Sequence, residues 1–273
     1  MKRTILFAVA SVTAFLAIVI GTNTDVSAGI VADYEFNNDF TSSVAGAPDL
    51  TLFGLAGSFS STTIGGNSQN IYTFGASTGL DFDNTSSHLG QHFGSTYTVA
   101  MLMEFDTLSY FTRLLNFSGG VNDYGLYYEF GRLRNYYYGA GSYYDLIVAV
   151  PNQYATVVLT NDNSGTIRGY VDGSLQWTQS YSAYWAYSEN TVPGNLIRFF
   201  KDNGGEDDPG SVARIQLYDH VLSDSDVANL DLSEASMTST PEPTSLAIFG
   251  IGALCFGGAA ARRRRKEKLA AEA

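Results

Sequence analysis

The chain has 273 residues, with 27 Asp and Glu against 15 Lys and Arg, a formal net charge of −12, and 14% aromatic residues. Residues 29–240 are more acidic still, with 23 acidic and 7 basic side chains, which argues against binding to a phosphate backbone and points to divalent cations as companions. The single cysteine, Cys255, lies in an apolar stretch near the C-terminus, so the region before it has neither a disulfide nor thiolate ligation and must be held by core burial.

In chain order, Lys2 and Arg3 precede an apolar run from Ile5 to Ile20, and Val26-Ser27-Ala28 supplies small residues at minus three and minus one. This is the pattern of a secretory signal peptide over residues 1–28, cut by signal peptidase after Ala28. The apolar run is long for such a signal, so an uncleaved anchor is the alternative; N-terminal sequencing separates the two.

Residues 29–232 read as one all-β domain. Ile30, Ala32, Tyr34 and Phe36 alternate with Val31, Asp33 and Glu35, the two-residue period of a half-buried strand. Further strands are expected at 49–53, 71–74, 80–82, 97–105, 113–117, 125–130, 132–138, 154–161, 166–171, 175–179, 196–201 and 212–218. Short strands at this spacing, with Gly, Asn, Asp and Ser between them, indicate a sandwich of two antiparallel sheets rather than a fold with crossover helices. Asn161 to Gly165 and Asp172-Gly173 link three of the strands into a meander, because Asp-Gly tolerates the positive dihedrals of a tight hairpin. One helix is expected from Ser223 to Leu230, with Ser223 as N-cap and Asp224 and Asp226 in its first turn, packing one end of the sandwich. Residues 233–240 read as a tether.

These elements carry a resemblance. Ile30 to Phe36, the meander from Val157 to Gly173, and Val212 to Asp219 followed by Leu222 to Val227 are similar to a laminin-G-like domain of the concanavalin A-like lectin and glucanase superfamily. The resemblance implies a jelly-roll β-sandwich, a fold that hosts lectins, glycan hydrolases and adhesion modules, so function does not follow from it.

At the C-terminal end, Pro241-Glu242-Pro243 is followed by an uncharged run of 16 residues from Leu246 to Ala261, then Arg262, Arg263, Arg264, Arg265 and Lys266. That run is just under the roughly 17 to 25 residues of a spanning helix, and the basic cluster stays on the cytoplasmic side of a membrane. Residues 241–266 resemble a PEP-CTERM sorting signal, with residues 267–273 as a cytoplasmic tail. The resemblance implies recognition by an exosortase, processing near Pro241 to Pro243, and delivery of a membrane-tethered precursor to the cell envelope, surface or extracellular matrix.

Three constellations bear on chemistry. Asp202, Glu206, Asp207 and Asp208 crowd a glycine-bent loop, and such density favours a structural Ca²⁺ held by side-chain oxygens. A solvated acidic loop is the alternative. Glu104 and Asp106 are the nearest thing to a glycosidase carboxylate pair, but the residues after Asp106 offer no third acid, so no catalytic residue is assigned. His88 and His92 stand four apart but among Ser and Gly, poor context for zinc. Finally, Tyr124, Tyr127, Tyr128, Tyr136, Tyr137, Tyr138, Tyr143 and Tyr144 cluster within 21 residues, with Tyr181, Tyr184, Trp185 and Tyr187 as a second group. Adjacent tyrosines on a strand point to opposite faces, so some rings face outward, where they stack on sugars. Tyr184 and Trp185 are the glycan-binding candidates. The reading is a non-enzymatic surface or matrix protein that binds exopolysaccharide; a hydrolase on the same fold and a purely structural matrix component are its rivals.

Overall fold

The computed structural model describes residues 29–83, 96–117, 124–137, 140–143, 147–162, 166–180 and 196–234, with backbone alone for 137 and 140–143. The signal peptide, the sorting signal with its expected transmembrane run, His88, His92, Tyr184 and Trp185 lie outside the described residues. Strands follow one another as β1 (Ile30–Tyr34), β2 (Thr51–Gly54), β3 (Ser58–Ile64), β4 (Asn67–Phe74), β5 (Thr78–Asp83), β6 (Tyr97–Phe105), β7 (Phe111–Asn116) and β8 (Gly125–Glu129). Then come β9 (Arg132–Tyr137), β10 (Ala140–Tyr143), β11 (Ala155–Asn161), β12 (Thr166–Val171), β13 (Ser174–Ser180), β14 (Leu196–Phe199), β15 (Gly210–Tyr218) and helix α1 (Asp224–Ala228).

They build two antiparallel sheets, the jelly-roll-like sandwich expected. The first runs β13-β12-β11-β6-β15-β4-β3, with β1 also on β15; the second runs β10-β9-β8-β7-β14-β5-β2. Alternation along the strands fills the space between them. Val99, Met101, Met103 and Phe105 of β6, with Val157 and Leu159 of β11, meet Leu80, Phe82, Leu126, Tyr128, Ile197 and Phe199 of the opposite sheet in one buried core.

Register shifts break the alternation in several strands, and at two of them an arginine is aimed out of the core. On β7 the register shifts between Arg113 and Leu115, so Leu114 and Leu115 both face inward while Arg113 turns outward. On β15 the shift falls between Val212 and Arg214, leaving Val212 and Ile215 in the core and Arg214 on the outer face. Re-aiming a side chain in this way is a known consequence of one extra residue in a strand.

The meander β11-β12-β13 forms as read, with Asp172 and Gly173 at φ 47° and 73°. Two strands were not legible in advance. β3 is Ser- and Thr-rich and half exposed, so it shows no apolar alternation, and β10 is short. The helix has its Ser223 cap and a capping box with Asp226, but its position differs from the expectation. Instead of closing an end of the sandwich it lies on the outer face of the first sheet, where Val227 packs with Ala100, Leu102, Val158 and Tyr170, and Asp224 accepts a hydrogen bond from the Tyr170 hydroxyl at 2.7 Å. The reason is that Ala100 and Leu102 of β6, Val158 of β11 and Tyr170 of β12 give the outer side of this sheet an apolar patch that needs cover.

Candidate functional site

The outer face of the second sheet carries the chemistry. Phe111 and Arg113 of β7, Tyr127 and Glu129 of β8, and, by the register of the pairing, the even-numbered Arg134 and Tyr136 of β9 share one surface. Tyr127 and Tyr128, neighbours in sequence, part ways: Tyr128 enters the core, and Tyr127 lies under the Arg113 guanidinium, whose carbon is 3.6 Å from its ring centroid. Stacking of that kind is worth about 2 kcal/mol or more when desolvated.

Rings continue outward from this floor. Tyr127 meets Tyr136 at 6.2 Å and Phe111 at 5.9 Å; Phe111 meets Tyr110 at 4.4 Å, and Tyr110 meets Phe130 at 4.4 Å, all edge-to-face. Tyr110 and Phe130 are 54% and 55% exposed, so this path of five rings surfaces at the β8–β9 turn. Beside it, Arg134 pairs with Glu129 at 2.5 Å and lies 5.6 Å and 5.4 Å from the Phe111 and Tyr136 rings. Phe111, Tyr127, Tyr136 and Glu206 line a depression of about 80 Å³. Tyr127 and Tyr136 belonged to the tyrosine cluster singled out in the sequence, whereas Tyr110, Phe111 and Phe130 did not. The available signal was the Phe130-Gly131 turn, with φ of 49° and 76°. A two-residue hairpin of this type favours Asn-Gly, and a bulky side chain there is strained.

The acidic loop contributes to this floor instead of gathering around one ion. Asp202 accepts hydrogen bonds from Arg113 Nε at 3.0 Å, the Tyr127 hydroxyl at 3.1 Å and the Gly204 amide at 2.6 Å. Asp207 pairs with Lys201 at 2.9 Å and accepts from the Ser77 amide. Asp208 accepts from the Ser109 amide at 2.7 Å and from the Thr107, Ser109 and Thr112 hydroxyls. Glu206 lines the aromatic depression. As placed, these four carboxylates do not fit a shared Ca²⁺: each of the three aspartates is engaged by protein donors, Asp202 and Asp208 on β7 among others and Asp207 at Lys201 and Ser77, and among the described residues no group of three or more His, Cys, Asp or Glu is placed to hold a metal ion.

Glu104 and Asp106 sit at the far end of β6. Burial, then the Asp106 carboxylate, raises the Glu104 carboxyl above its ordinary 4.5. The adjoining void is about 10 Å³, too small for more than a water. Because ionising Glu104 is harder in the fold than in the unfolded chain, its penalty is present above the folded pKa and vanishes below the unfolded one. Glu104→Gln is therefore expected to raise the melting midpoint slightly at pH 7, by well under about 1 kcal/mol for so exposed a group, and to match wild type below pH ~4. Thermal melts at the two pH values test this.

Comparison with known proteins agrees with the geometry. Residues 56–228 match the family described as the concanavalin A-like lectin/glucanases superfamily, and residues 239–265 match the PEP-CTERM protein-sorting motif, the mark of exosortase-dependent export. No curated protein matches the chain. Among solved structures, domain 4 of AbnA, a GH43 extracellular arabinanase from Geobacillus stearothermophilus solved in complex with arabinotriose, is 14% identical with a TM-score of 0.54, covering 74% of this chain and 98% of that one. A botulinum neurotoxin type C structure, from work on its dependence on two ganglioside molecules, is 10% identical with a TM-score of 0.55, covering 74% of this chain and 50% of that one. The binding domain of botulinum neurotoxin DC in complex with rat synaptotagmin II is likewise 10% identical at a TM-score of 0.55, over 74% and 51%. The chain thus spans about half the length of the toxin chains, and at such identities the likeness concerns the fold. With the family match covering residues 56–228 and two antiparallel sheets of the matching kind, the chain belongs to the concanavalin A-like lectin/glucanase superfamily.

Proposed function

We propose that this is a non-enzymatic protein of the cell surface or extracellular matrix, exported and sorted by an exosortase-type system, that holds neutral polysaccharide on the aromatic path of the second sheet. The carrying observation is Phe130. Its left-handed backbone suits Asn or Gly, yet the position holds a large ring more than half exposed and set edge-on to Tyr110. Strain retained at an exposed residue is a reason to look for function there. Exposed rings stack on the C–H faces of sugars, while Glu129, Arg134 and Glu206 supply groups for hydroxyls. The acid excess of residues 29–240 repels uronate-rich chains, so the polymer is a neutral one. The arabinotriose complex of the AbnA domain supports testing arabinan first.

Phe130→Asn is the discriminating variant. It is expected to stabilise the fold by about 1 kcal/mol, by relieving the left-handed strain, and at the same time to weaken polysaccharide retention about three- to tenfold, the share of one ring contact. Affinity electrophoresis in arabinan, dextran and alginate, with a parallel melt, measures both. Unchanged retention in every polymer, or preference for alginate, would overturn the reading. The non-catalytic part rests on Glu104 facing only a minute void. Intact-mass analysis of the exported protein tests the sorting part, in which Pro241 to Pro243 and Arg262 to Arg265 are the processing signal; an uncut chain in the cytosol would sink it.

A further inference from the structure

The two sides of the sandwich are finished differently. At one side β13 meets β10 of the facing sheet and the helix α1. At the other, β3 ends the first sheet and β2 ends the second, each with a single neighbour, β4 and β5. Among the described residues, no backbone hydrogen bond from a turn or loop reaches residues 58–64. An end strand of this kind offers a row of unpaired N–H and C=O groups, and natural sequences usually guard it with Lys, Pro or a bulge. β3, Ser-Phe-Ser-Ser-Thr-Thr-Ile, has none of these: it pairs with β4 without a register shift from Ser58 to Ile64.

Charge singles out the same flank. Between Asp49 and Asp81 there is not one Asp, Glu, Lys, Arg or His, although residues 29–240 carry 23 acidic side chains. Two copies of so anionic a domain repel wherever carboxylates come within the Debye length, about 8 Å at physiological ionic strength. This flank is where they approach with least repulsion. It also exposes apolar surface, since Leu55 is 72% and Phe53 39% accessible.

We infer that β3 pairs antiparallel with β3 of a second copy of this chain, joining the two first sheets into one. A two-fold axis through Ser61 sets Phe59 opposite Thr63, Ser60 opposite Thr62 and Ser58 opposite Ile64. Partners then fall on matching faces, as an isologous contact requires. The pairing forms beside the exposed Leu55 and leaves the aromatic path of the other sheet free, so it is independent of the proposed polysaccharide binding. Residues 50–80 bring no charged side chain of their own to this flank, and the cation closest to its exposed apolar surface, Arg198 over the Phe53 ring, is already paired with Asp81, so the flank offers little ion-pair recognition to a differently charged partner.

The lone native cysteine makes the test direct. In the full chain with Cys255→Ser, Ser61→Cys places two thiols at the axis. Directly opposed residues of antiparallel strands have Cα atoms about 4.5–5.5 Å apart, within disulfide reach. Mild oxidation of the membrane fraction, read on a non-reducing gel, is expected to link Ser61→Cys into a species of twice the monomer mass at least about tenfold faster than Ser174→Cys on the opposite end strand. Adding Ser60→Lys and Thr63→Lys, both at exposed positions, is expected to abolish the link with the melting midpoint retained. Tyr110→Ala is expected to leave it intact. Linking no faster than Ser174→Cys, or capture of a species of another mass, would overturn the self-pairing.

Discussion

Asp202→Ala is expected to lower the stability of the folded domain by about 3–5 kcal/mol, the range for removing one partner of a buried ion pair. Against a total of roughly 5–15 kcal/mol for a domain, that is enough to leave it largely unfolded near physiological temperature. The side chains of Arg113 and Asp202 are 0% and 1% exposed, and Asp202 also holds the Tyr127 hydroxyl and closes its own loop through the Gly204 amide. Truncating the carboxylate takes the Asp202 charge away from a guanidinium in the protein interior and loosens the ring on which it stacks. Arg113→Met with Asp202→Leu removes both charges at once and is expected to recover most of the loss, because well-packed apolar replacements of buried pairs are often neutral. Urea midpoints of the three proteins decide it: equal losses in the single and double variants would mean that the ion pair is not what the site depends on. A chelator added to wild type is expected to leave the midpoint unchanged, since each aspartate of this loop already has protein donors. A fall would show that a cation also holds it.

Arg214→Met is the second large effect. The guanidinium grips Asp33 with two hydrogen bonds, at 2.9 and 2.7 Å, lies 3.3 Å from Glu35, and donates to the backbone carbonyl of Glu234. Gln216 adds a hydrogen bond to Asp33 at 3.1 Å, and Tyr218 donates to Gln216 at 2.6 Å. One side chain thus ties β1, near the N-terminal end of the domain, to the segment that leads into the tether. Losing it takes the guanidinium from the Asp33 carboxylate, which is 2% exposed, and is expected to cost about 3–5 kcal/mol. A structural loss alone would lower the midpoint. Release of the C-terminal segment would also speed proteolytic cleavage after Glu234 under conditions where the rest stays folded. Protection of that segment equal to wild type would show that the Glu234 carbonyl is held by other contacts.

Both arginines act far from their sequence neighbours, and this marks how far residue patterns carry. Strands with strong alternation, such as β6 with Val99, Met101, Met103 and Phe105 inward, were legible because their environment repeats every two residues. So was the Asp172-Gly173 turn, whose dihedral demand is local. β3 was not, because a polar end strand is specified by its partner β4 and not by its own pattern. The acidic loop shows the same limit. Four carboxylates within seven positions suggest a cation when the chain is read alone, yet Asp202 is matched to a cation 89 residues away and Asp208 to a hydroxyl 96 residues away.

The sequence by itself determined the two-sheet class, the turns that link the meander, the cap of the helix and the resemblance at each end, since all of these rest on short-range dihedral preference, strand period or motif order. Which tyrosine entered the core, where the bulges turned Arg113 and Arg214, which carboxylates they met, and which end strands have a single partner among the described residues were decided only in three dimensions. Those outcomes depend on burial and on charges brought together across long stretches of chain, and such pairings have no signature in any single window of residues.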